Sequence, residues 1–208
     1  MTAQHDPSLS SLPRTLPTDL QDKMSQYGQY NLDNAKFCLY ALTNNLLTEN
    51  DLGSICASIK TIYAHNVLAM PEEEIPDFIS PAPDWSSLTE KFLNLGDILS
   101  YHVRDLDKGW KPSAGNNAGE LEWYPFDFVV VTGEKKDSWK SDGLVVVHCE
   151  PEDDGPEGSS WTVDSCRMRV ENLGMALEGL LWDLKYEDEK NKNCQDQTLK
   201  GPSVTSAV

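Results

Sequence analysis

Two continuous apolar runs of strand length, residues 127–132 and 143–149, and helix-period stripes elsewhere predict an α+β fold. The expected architecture is a set of N-terminal helices packed on a small central β-sheet, followed by a C-terminal helix. The order of elements supports it: helical patterns fill the first half of the chain, then strand patterns, then one more helix.

Residues 1–20 are rich in Pro, Ser and Thr and poor in apolar side chains, so they are expected to be disordered. A first helix is predicted over about 32–47, where Leu32, Ala35, Cys38, Leu39, Leu42 and Leu46 recur at three and four. A second is predicted over about 49–65. Thr48 can cap it, with Asp51 three residues on, and its stripe is Leu52, Ile55, Cys56, Ile59, Ile62 and Tyr63. Residues 71–84 hold four prolines and three consecutive glutamates and read as a loop. A third helix is predicted over about 87–105, with Ser87 and Glu90 as a capping box and Leu88, Phe92, Leu95, Leu99 and Val103 facing inward.

The runs at 127–132 and 143–149 read as buried central strands. A third strand is predicted over 160–170, where Trp161 and Val163, then Cys166, Met168 and Val170, alternate with other residues. The last helix, about 171–185, carries Leu173, Ala176, Leu177, Leu180, Leu181 and Leu184, although Asn172, Gly174 and Gly179 lower its propensity. Residues 188–208 are polar and expected to be disordered. One α+β domain is therefore expected over 21–187. No repeat is evident, and no strand–helix–strand alternation with a glycine-rich phosphate loop.

Thirty-four acidic residues against 17 basic ones give a formal charge of −17. That field repels phosphate and disfavours DNA binding through a basic face. A local basic strip remains, with Lys135, Lys136 and Lys140 in one cluster and Arg167 and Arg169 in another. No run of about 18 apolar residues is present, so no membrane span is expected. The N-terminus lacks the basic start and apolar stretch of a secretory signal. Five cysteines, with no CxxC spacing, argue against a disulfide framework or a zinc site. These features predict a cytoplasmic protein with reduced thiols.

The densest chemistry lies after the second strand, where five carboxylates fall between Glu150 and Glu157. Crowded carboxylates repel, so at least one should have a raised pKa and exchange protons near neutrality. The same groups suit a guanidinium. EF-hand spacing is absent, and neither a metal nor a cofactor is expected. Trp123, Tyr124 and Phe126 beside Glu120 and Glu122 either line a pocket or plug a strand entrance. His148 and Cys149 are adjacent on a strand and so point to opposite faces. Ser159 and Ser160 lack a nucleophile-elbow context.

Asp153, Asp154, Gly155, Pro156 and Glu157 fit the pattern D-D-x-x-E. A small acidic protein with that motif after a buried strand resembles the fungal arginine-containing cyclodipeptide synthases. Terpene cyclases carry the same pattern, but on a helix inside an all-α bundle. The resemblance implies an enzyme that joins arginine to a second amino acid as a diketopiperazine, cyclo(Arg-Xaa), for alkaloid biosynthesis. Its substrates would be arginyl-tRNA and a second aminoacyl-tRNA. It also implies that Asp153, Asp154 and Glu157 are catalytic without binding Mg²⁺. Two other readings compete: a non-enzymatic acidic module that binds a basic partner, and a small hydrolase or acyltransferase using Cys149 or a serine.

Overall fold

The computed structural model describes residues 11–27, 30–32, 34–43, 47–71, 84–105, 119–133, 135–152, 160–181 and 186–194. Along the chain run α1 (Thr18–Tyr27), β1 (Lys36–Leu42), α2 (Glu49–Ala69), β2 (Trp85–Phe92), α3 (Leu95–Asp105) and β3 (Trp123–Val131). Then come α4 (Ser138–Asp142), β4 (Leu144–Pro151), β5 (Trp161–Met168), α5 (Val170–Leu181) and α6 (Tyr186–Asn193). The five strands form one mixed sheet in the order β2-β1-β3-β4-β5. β1 pairs in parallel with β2 and with β3, while β3–β4 and β4–β5 are antiparallel. The α+β class stands.

The first half differs from the helical reading. Residues 36–42 are a strand, not part of a helix over 32–47. Every residue of β1 after Lys36 is buried, so apolar side chains face both ways, and such a run also satisfies a helical stripe. Residues 85–92 are also a strand, with Ser87 in register opposite Leu39. The helix starts later. Asn94 accepts the Asp97 N–H at 3.0 Å and donates to the Asp97 carboxylate at 2.9 Å, so it does the capping expected of Ser87. The alternation β1–α2–β2–α3–β3 is thus present, contrary to the sequence reading. α2 starts as expected, with a complete Thr48–Asp51 capping box. The predicted strand at 160–170 is β5, and the predicted last helix ends at Leu181.

Helices cover both faces of the sheet. Leu52, Ile55 and Ile59 of α2 and Leu173, Ala176 and Leu177 of α5 pack on Leu39, Val129 and Val146. Leu20 and Met24 of α1 and Ile98, Leu99 and Val103 of α3 pack on Tyr40, Val130 and Val147. Two crossovers of one hand that step in opposite directions across a sheet must lie on opposite faces, and α2 and α3 do so.

The ends of the described chain correct two expectations. Residues 11–20 are not disordered: Leu16 and Leu20 are core residues, Leu16 donates its N–H to Trp161 O at 2.9 Å, and Val163 donates to Arg14 O at 2.9 Å. Residues 188–193 belong to α6, and Cys194 bridges Met168. Residues 1–10 and 195–208 lie outside the described residues. Among the described residues no helix is long and apolar enough to cross a membrane.

Gly174 explains an apparent weakness of α5. A Cβ there would sit 2.9 Å from Tyr63 Cβ on α2, so the two helices approach over a missing side chain. Gly174→Ala should therefore destabilise the protein by about 1–3 kcal/mol in urea unfolding, although alanine favours an isolated helix by about 1 kcal/mol.

Candidate functional site

One row of the sheet is charged. Asp127 on β3 lies opposite His148 on β4, and His148 lies opposite Asp164 on β5. Alternation places all three on the α5–α6 face, in line with Val129, Val146 and Cys166. The register that buries the valines therefore also brings these three polar side chains together.

His148 is the centre of the cluster. Its Nδ1 lies 2.8 Å from Asp127 Oδ1, and its Nε2 lies 3.3 Å from Glu150 Oε2. The Asp127 side chain is 1 % exposed and the His148 side chain 13 %. Burial, the largest single influence, pushes the His148 imidazole down, but the Asp127 charge and hydrogen bond, with Glu150, lift it to about 9. At neutral pH the ring is therefore an imidazolium that donates to two carboxylates. Tyr186 of α6 stacks on it, with centroids 4.3 Å apart and planes 11° apart. Lys190, one turn further along α6, is 2 % exposed and ion-paired with Asp164. Three carboxylates thus face two cations, and the excess negative charge falls on the exposed Glu150 side.

The His148 hydrogen bond, ahead of burial, holds the Glu150 carboxyl below the usual range. Crowding was expected to raise a carboxylate in this stretch, but at Glu150 the neighbouring imidazolium outweighs it. Asp127 Oδ2 is buried with no hydrogen-bond partner among the described residues. A positively charged His148 with both N–H groups engaged is a proton holder and anion partner, not a free base.

The sequence-predicted groups are distributed as follows. Asp153, Asp154 and Glu157 lie outside the described residues, as does Ser159. The hairpin that carries them is fixed at both ends. Glu152 donates its N–H to Ser160 O at 2.9 Å, Ser160 Oγ donates to the Glu152 carboxylate, and Pro151 pairs with Trp161. This is the end of β4 at which Glu150 and His148 stand. Cys149 points to the opposite face, is buried in the other core cluster, and has its thiol pushed up by burial and then by Asp127. That environment is the reverse of a nucleophile's.

The basic strip lies elsewhere. Lys135, Lys136 and Lys140 belong to the β3–β4 connection, at the opposite end of β4, a strand of about 23 Å. Lys136 is paired with Asp51 at 2.7 Å and Lys140 with Asp137 at 2.9 Å. Arg167 donates to Thr132 Oγ1 at 2.8 Å near the same end. The strip does not flank the acidic hairpin. The aromatic run serves the core: Tyr124 packs 5.2 Å from Phe37, and Phe126 stacks on Trp161 at 5.8 Å. Among the described residues no group of carboxylates, histidines and cysteines could hold a metal ion.

Sequence reasoning missed Asp127, Asp164, Tyr186 and Lys190 as one cluster. It gave no sign of His102 on α3, a buried histidine. Its Nδ1 lies 2.8 Å from the Tyr40 hydroxyl, and burial pushes the pKa of its imidazole down to about 3. Compared with protein-family models, with curated proteins and with solved structures, the chain gives no match.

Two outcomes follow from the charged row. Asp127→Ala leaves a buried cation short of its partner and should cost about 3–5 kcal/mol in urea unfolding at pH 7. The folded pKa of His148 lies above the unfolded value of about 6.5, so its contribution to stability is fully present below that pH. It is lost as the pH rises through about 9. An NMR titration of the His148 ring should give that midpoint, and a midpoint at or below the unfolded value would refute the ion triad.

Proposed function

We propose that the chain is a tRNA-dependent cyclodipeptide synthase that forms an arginine-containing diketopiperazine, cyclo(Arg-Xaa), in the cytoplasm. The observation that carries the reading is the D-D-x-x-E sequence of Asp153, Asp154 and Glu157 in the connection between β4 and β5. Support comes from what those residue types can do. Each aminoacyl ester is already activated. The α-amine of one attacks the ester carbonyl of the other and releases a tRNA hydroxyl, and a second attack closes the ring and releases the second tRNA. Holding both esters close is an entropic task. The attacking amine, which in simple peptides titrates at about 7.7–8.0, must lose its proton to a carboxylate, while another carboxylate accepts the guanidinium in a planar fork.

The reading is tested by expressing the full chain in a heterologous host and analysing extracts by mass spectrometry for cyclo(Arg-Xaa). Asp154→Ala and Glu157→Ala should each lower product at least about 100-fold, equivalent to about 2.7 kcal/mol of barrier. Unchanged product in both variants would refute the catalytic assignment.

A second reading, an acidic module that binds a basic partner, is favoured by the charge arrangement. Lys36, Lys60, Arg104, Lys136, Lys140 and Lys190 all face carboxylates, on a chain with twice as many acidic as basic residues. Titration with an arginine-rich peptide should then show binding that weakens steeply with salt. Absence of binding at low salt removes this reading.

A further inference from the structure

α6 is tied to β5 by sulfur as well as by charge. Cys194, just past the end of α6, bridges Met168 of β5 in antiparallel fashion and packs against the core cluster that contains Cys166. Residues two apart on a strand share a face, so Cys166 and Met168 both meet Cys194 from one side. The Cys166 and Cys194 thiols are hydrogen-bonded to each other; that bond, followed by burial, pushes the Cys166 thiol far above its ordinary value. Cys38 and Cys149 lie in the opposite core cluster and Cys56 on α2, all three buried. Cys194 is the one partly exposed thiol among the described cysteines.

We propose that Cys166 and Cys194 form a reversible disulfide that locks α6 over the Asp127–His148–Asp164 row. The oxidant is a low-molecular-weight disulfide of the glutathione class. The Cys194 thiolate attacks one sulfur of that disulfide, its S–S bond breaks, and the first small thiol leaves, taking up the proton that Cys194 gave up. A mixed disulfide remains on Cys194. Capping Cys194 removes the hydrogen bond that does most to hold the Cys166 proton, so Cys166 then loses that proton and attacks the Cys194 sulfur. The second small thiol leaves and is protonated. Two protein thiols are oxidised and one small disulfide is reduced to two thiols.

The order of attack follows from exposure. Only Cys194 can be reached from solvent, and Cys166 is already in contact with it, so Cys166 is the resolving partner. The consequence follows from position. Terminal helices open at low free energy, and α6 covers the charged row through Tyr186 on His148 and Lys190 on Asp164. A cross-link from Cys166 to Cys194 closes a loop that contains all of α6, which restricts that opening.

The test uses the full chain, incubated with glutathione disulfide, alkylated under denaturing conditions and mapped by mass spectrometry. The expected product is a cross-linked peptide joining Cys166 to Cys194, in a chain lighter by two hydrogens, with Cys38, Cys56 and Cys149 alkylated. Amide exchange of α6 should slow about tenfold relative to the reduced chain. Cys194→Ser, at a partly exposed position, should keep the fold by circular dichroism and lose both effects. A stable glutathione adduct on Cys194 with Cys166 still alkylated overturns the proposal. So does a dimer linked through Cys194, or a Cys166–Cys194 cross-link that leaves exchange in α6 unchanged.

Discussion

Burial of the central strands on both faces is the constraint on which this structure depends. β1, β3 and β4 have no solvent face along most of their length. A sheet of that kind is stable only between two helical layers. The parallel pairing of β1 with both of its neighbours supplies them, because each parallel crossover lays down a helix. α2 covers one face and α3 the other. The C-terminal hairpin then extends the sheet without a crossover, and α5 and α6 complete the layer that α2 begins.

The charged row is the exception inside that apolar frame. Asp127 and His148 sit where a valine would otherwise continue the pattern. Their burial is tolerated because each charge has a partner. Asp127 and Glu150 flank the imidazolium, Asp164 holds Lys190, and Tyr186 shields the ring from one side. The row and α6 support each other: Tyr186 and Lys190 cover the row, and the row gives this mostly polar helix a stacked and an ion-paired contact. Beyond this row β4 runs on to Pro151, and the Glu152–Ser160 hydrogen bonds close the described part of the hairpin.

The β5 edge of the sheet is covered by two flanking segments. The Arg14–Leu16 stretch hydrogen-bonds along the start of β5, and Cys194 meets its far end. An exposed edge is a template for unwanted pairing. Short flanking segments of low hydrophobicity, unremarkable as sequence, close this one.

What the sequence determined by itself was local. The valine runs of β3 and β4, the Thr48–Asp51 capping box and the apolar stripe of α5 are each set by residues within a few positions of one another. The position of the D-D-x-x-E motif between two strands was legible for the same reason. β1 and β2 were not, because a strand buried on both faces shows no period of two, and Ser87 with Glu90 imitates a helix start. The charged row was illegible because Asp127, His148 and Asp164 have no motif spacing; only strand register makes them neighbours. Lys190 stands in a run of charges that composition assigns to solvent. Tertiary structure buries it against Asp164, because an ion's burial is decided by its partner and not by its neighbours in sequence.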